Sequence, residues 1–137
     1  MQETHSVQLL LPTGRTVDAS LTFERRSDDS YRVSIDYESD GHARGEGSDL
    51  YVALREARRS LDASGVKLLC NGSRPNVRPS GMGSQMSGDR KAYAHTLGRA
   101  TSMEDLRDIL APAPAEEVGT VEEQTAFFIE WKRSLGV

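Results

Sequence analysis

The sequence holds a single cysteine, Cys70. No disulfide can form within the chain, which therefore fits a reducing compartment. Histidine is scarce as well. His5, His42 and His95 stand alone, with no His-x-x-x-His pair and no second cysteine, so there is no zinc pattern. No apolar run approaches the ~20 residues needed to span a bilayer. The short stretch from Val7 to Leu11, behind an acidic opening, is too brief and wrongly flanked for a secretion signal. These absences predict a cytoplasmic protein with no membrane partner. Among the carboxylates no acid/base pair stands out, so the expectation is a protein that is not an enzyme and carries no metal or cofactor.

What is present is an ordinary globular composition: 137 residues, 36% apolar and 28% charged. That length fits a single domain, 1–137, able to bury roughly two-thirds of its unfolded surface without a disulfide or metal. The net charge of -4 is unevenly spread. Residues 1–70 and 101–137 are acidic, whereas 71–100 hold five Lys/Arg and only Asp89. An acidic body makes nucleic acid an unlikely partner, because phosphate contacts need clustered cations. The same charge would suit a basic partner, such as a nuclease domain, or serve only to keep the protein in solution.

Alternation of apolar and polar residues predicts three antiparallel strands, at Val7–Leu11, Val17–Phe23 and Tyr31–Tyr37. The Gly-rich segment from Asp40 to Gly47 reads as a connection. A helix follows, with Ser48 or Asp49 as N-cap and Leu50, Leu54, Ala57 and Leu61 on one stripe. Arg55, Glu56, Arg58 and Arg59 are expected in water, and Gly65 supplies the left-handed stop. Val66–Cys70 reads as a fourth strand inside the sheet, and Lys91–Leu97 as another. A capping box at Thr101–Glu104 predicts a short helix bearing Leu106, Ile109 and Leu110. A second, at Thr120–Glu123, begins a helix carrying Phe127, Phe128, Trp131 and Leu135. The expected fold class is α+β. A largely antiparallel sheet of about five strands is packed by one central helix in a body, 1–100, and the helical extension 101–137 docks its last helix on that body.

Residues 71–91, rich in Gly, Pro and Arg, form a loop long enough to be functional or disordered. Gly83–Gly88 has the glycine spacing of a phosphate loop, but Asp89-Arg90 stands where Lys and Ser/Thr belong. Arg74, Arg78, Arg90 and Lys91 are candidates for anion binding, which makes a small phosphate- or nucleotide-binding domain or enzyme the alternative reading. Those four with Arg99 and Tyr93 could hold RNA, or the arginines could simply pair with the acidic tail. Met82 and Met86 would share a face if Ser80 caps a helical turn. Cys70, ending an apolar strand, reads as a core residue rather than a nucleophile. Asp36, Glu38 and Asp40 alternate on the wet face and edge of one strand. With Glu46 and Asp49, and with Asp18 and Glu24 nearby, they would build an acidic surface.

The string Leu69-Cys70-Asn71-Gly72-Ser73-Arg74-Pro75-Asn76-Val77-Arg78-Pro79-Ser80-Gly81-Met82, the following Lys91-Ala92-Tyr93 and the tail Gly119 to Trp131 resemble a group of small bacterial proteins. Members of that group are encoded among polymorphic or contact-dependent growth-inhibition toxin systems. The resemblance spans roughly 50–135 and leaves out 1–47. It implies an immunity protein that binds and neutralises a cognate toxin domain. Such a protein needs no active site, only a complementary charged surface. On this reading the toxin would meet Asp36, Glu38, Asp40, Glu46 and Asp49, or the tail acids.

Overall fold

A computed structural model describes residues 2–79 and 90–136. The glycine spacing at Gly83–Gly88 and the Met82/Met86 pair lie outside the described residues. The chain is α+β. Strands β1 (Gln2–Leu10), β2 (Thr16–Arg25), β3 (Tyr31–Tyr37) and β4 (Gly41–Gly47) form an antiparallel meander. Helix α1 (Leu50–Ala63) follows, and β5 (Lys67–Leu68) then returns to pair with β1, giving the order β4-β3-β2-β1-β5. Strands β6 (Val77–Arg78), β7 (Lys91–Ala94) and β8 (Leu106–Asp108) make a second, three-stranded sheet, before helix α2 (Val121–Ser134).

The alternation fixes which face is covered. Odd-numbered residues of the meander, among them Leu9, Leu21, Phe23, Val33 and Ile35, are buried with Leu50, Leu54, Ala57 and Leu61 of α1. Even-numbered residues face away from α1. Asp49 caps α1, its carboxylate accepting from the Val52 amide at 2.8 Å. Gly65 ends it at φ +71°, a conformation open to glycine without steric cost.

Four elements differ from expectation. Gly41–Gly47 is not a connection but β4, paired along its whole length with β3. Its inward residues are Gly41, Ala43, Gly45 and Gly47, and α1 lies directly upon the last two: a Cβ at Gly45 would collide with the Ala57 amide and the Ala53 carbonyl. The Val66–Cys70 run contributes only a two-residue strand, and at the edge of the sheet rather than inside it. Lys91–Ala94 joins the second sheet, not the first. The capping serine Ser102 starts only a single 3-10 turn, Met103–Asp105, after which Leu106–Asp108 is a strand. Leu106 does not line a helix face there but pairs with Tyr93, and Ile109 and Leu110 enter the core instead.

Helix α2 has the expected capping box, Thr120 and Glu123 each accepting from the other's backbone amide. Trp131 is its buried anchor, donating from Nε1 to the Arg99 carbonyl at 2.9 Å. No helix among the described residues is long and apolar enough to cross a membrane.

Candidate functional site

Arg58 departs furthest from its expected place. It does not face water but is 2% exposed, between α1 and the tail. Its Nη1 donates to the Gly72 carbonyl and to Gln124 Oε1, and its Nη2 to the Gly119 carbonyl, each at 3.0 Å. Gln124, equally buried, directs its Nε2 amide at the carbonyls of Gly72, Arg74 and Val77. Desolvation pulls the Arg58 pKa down, although a guanidinium stays charged in proteins. Asp62, one turn on in α1, accepts from the Val121 amide at 2.9 Å and secures the start of α2. The strings 69–79 and 119–131 are therefore two sides of one buried polar junction. Arg58 stands four residues after Leu54 and three before Leu61, on the apolar stripe of α1, a spacing that sets it apart from the half-buried Arg55 and the exposed Arg59; Gln124 carries no comparable signal.

Of the candidate anion-binding cations, Arg78 and Lys91 lie diagonally across the β6–β7 pair, whereas Arg74 and Arg90 are engaged by acidic side chains. Arg74 lies near Asn71 and, at 3.9 Å, Glu117. Arg90 pairs with Asp108 at 3.2 Å and Glu3 at 3.6 Å. Both thus reach acidic side chains, two of them in the tail. The Arg78 guanidinium lies 3.9 Å from the Phe128 ring centroid, a cation–π contact. Lys91 is exposed at the start of β7. Tyr93, the proposed stacking residue for RNA, is 2% exposed and so offers no platform. Cys70 is fully buried, and burial pushes its thiol pKa up, away from the thiolate a nucleophile needs.

His95 packs its ring 4.2 Å from that of Trp131. Its Nδ1 is buried with no hydrogen-bond partner among the described residues. Burial lowers its pKa from about 6.5, outweighing the Arg78 carbonyl and Asp105, which raise it. A histidine held neutral by the fold makes the unfolded chain bind more protons between the lowered pKa and about 6.5. Stability should accordingly be complete above that upper value and fall as pH drops toward the folded pKa. Thermal melts from about pH 7.5 down to about pH 5 should show this slope, and His95→Gln should flatten it; an unchanged slope would assign it to other groups.

The acidic candidates separate into two groups. Glu46 stands at one end of β4, bonded to Arg26 at 2.7 Å and Arg32 at 3.1 Å, while Asp49 is occupied as the α1 cap. Asp36 near the opposite end of β3 and Glu38 just beyond it lie about 13 and 20 Å from the Arg32–Glu46 pair at ~3.3 Å per residue. There the face uncovered by α1 holds a shallow depression of about 390 Å³, lined by Thr4, Ser6, Asp18, Ser20, Asp36 and Glu38. The hydroxyls of Thr4, Ser6 and Ser20 and the three carboxylates share this lining with His5, Ala19 and Tyr37. Asp36 meets His42 at 2.7 Å and Glu38 meets Arg15 at 3.0 Å, both in solvent, where such pairs contribute little. Glu38 also holds a positive φ of 53°, a conformation uncommon outside Gly, Asn and Asp. Asp40 is exposed in the adjoining turn. These features define an α+β protein whose polar sheet face is left open among the described residues, with an acidic hollow at one end of it.

No family model and no curated protein matches the chain.

Proposed function

We propose that this protein is an immunity protein, which binds and neutralises a cognate toxin domain through the acidic end of its open sheet face. The observation that carries this reading is the division of labour around α1. One side of α1 holds, through Arg58, the strings that resemble proteins of toxin systems. The other side holds the meander, whose outward residues contact solvent. The strings that carry the resemblance thus serve as scaffold, and the face built from 1–47 is free to be specific. A glutamate kept at positive φ beside that hollow fits the same use, since strained backbone gathers where a side chain must be aimed.

Carboxylates on such a face suit a cationic surface, such as the substrate cleft of a nuclease, by standing in for phosphates. The test is co-expression with candidate toxin domains, taken first from the C-terminal ends of any large secreted proteins encoded beside this chain. The expected result is a one-to-one complex with toxicity abolished. Asp36→Ala with Glu38→Ala should then weaken binding by about 2–5 kcal/mol, measured by calorimetry. No complex and no rescue of growth would sink the reading, and full affinity in the double variant would move the interface elsewhere.

A further inference from the structure

A narrower cleft adjoins the acidic hollow. It holds about 180 Å³ and is walled by Leu69, Leu110, Pro112 and Ala113, with Gln8 and Asp18 at its polar side. It exists because β5 pairs only with Leu9 and Leu10 of β1. The chain then leaves the sheet: the Leu69 amide donates to the Gln8 carbonyl, and the Leu69 carbonyl accepts from Ala113. Since Gln8 directs its carbonyl to this side, alternation turns the Ser6 amide and carbonyl the same way. No described strand takes them up there. Ser6 and Asp18 line both the cleft and the hollow, so the two are continuous.

The polar groups gathered here are mixed, since Ser6 and Gln8 offer both donors and acceptors, but the one charge among them is the Asp18 carboxylate. Asp18 forms no ion pair among the described residues, and its one side-chain bond, from Gln8 Nε2, is long at 3.4 Å. That bond leaves the Gln8 side-chain oxygen as an acceptor beside the second carboxylate oxygen and the Ser6 carbonyl. An apolar occupant would desolvate a carboxylate without compensation, and an anion would be repelled. A flexible alkyl stem ending in several N–H donors satisfies both the apolar wall and the acceptors.

We propose that this cleft is the anchor site for one lysine or arginine side chain of the protein partner, its stem against Leu110, Pro112 and Ala113 and its cation on Asp18. The assignment rests on the toxin-binding reading and names the partner chemistry at its centre. A buried cationic anchor of this kind is what concentrates binding energy in an otherwise wet interface.

The cleft can be tested without the toxin. Backbone amide shifts would be followed by NMR while the full chain is titrated with n-butylguanidinium, n-butylammonium and n-butanol. The cationic probes should shift Ser6, Gln8, Leu69 and Ala113 with Kd on the order of 10 mM, as expected for so few atoms. Butanol should bind about tenfold or more weakly, and Asp18→Asn should weaken the cations by a similar factor. Glu24→Gln, at the far end of β2, should leave the titration unchanged. Equal binding of butanol, shifts centred elsewhere, or an indifferent Asp18→Asn would overturn the site. Free L-arginine binding more tightly than n-butylguanidinium would make this a pocket for a free amino acid and overturn its role as an anchor. In the complex with the toxin, Asp18→Asn should raise Kd at least about tenfold; an unchanged Kd would also overturn that role. Failure to form any complex would remove the toxin as the owner of the side chain, while the probe titration would still decide whether the cleft takes a cation.

Discussion

Replacing Arg58 with methionine is expected to cost about 3–5 kcal/mol of stability. Methionine fills much of the volume but donates nothing. The Gly119 carbonyl and Gln124 Oε1 would lose the guanidinium bonds that satisfy them inside the junction, and each buried acceptor left bare costs roughly 1–3 kcal/mol. The Gly72 carbonyl would still have Gln124 Nε2, so the loss stops short of three full penalties. Lysine should rescue only in part, because one ammonium on a single stem cannot span acceptors that a planar fork reaches together. Urea denaturation checks both variants. A methionine variant within about 1 kcal/mol of the parent would mean that the junction opens to water and that Arg58 is not its keystone.

The second large effect is expected at Gly45. Alanine in a strand normally gains about 0.5–1 kcal/mol over glycine. Here the sign should reverse, with a net loss of about 3 kcal/mol. The added methyl would meet helix backbone, the Ala57 amide and Ala53 carbonyl, not the yielding end of a side chain. Relief requires lifting α1 from β4, which would loosen the packing of Leu50, Leu54 and Leu61 as well. The measurement is the urea midpoint of Gly45→Ala; stability equal to or above that of the parent would show that the helix is not seated on this strand.

The same contact explains why β4 was hard to read from sequence. Strands announce themselves through large apolar residues at every second position, as Leu21 and Phe23 or Val33 and Ile35 do. In Gly41-His42-Ala43-Arg44-Gly45-Glu46-Gly47 the alternation is present, but its inward members are Gly and Ala. A close-packed helix demands small residues there, and small residues look like a loop. The short strands β5, β6 and β8 carry two or three residues each, too few for any period to show. By contrast α1 and α2 were legible from their caps and apolar stripes. Of the acidic candidates, Asp36 and Glu38 fall on one hollow as alternation implied. Glu46 and Asp49 belong elsewhere, because a hairpin returns the chain and carries those residues to the other end of the sheet. Asp18 gains its place only through pairing between β1, β2 and β3, a long-range relation that spacing along one strand does not reveal.

The period of two along the meander has a consequence for how such a protein can change. Each outward residue sits between two inward neighbours and shares almost no packing with them. Its identity can therefore be rewritten at little cost to folding, one letter at a time, while the inward letters and the Arg58 junction stay fixed. A chain built this way keeps the letters that can vary apart from those that hold it together, so its outward face can be altered without disturbing the packing beneath.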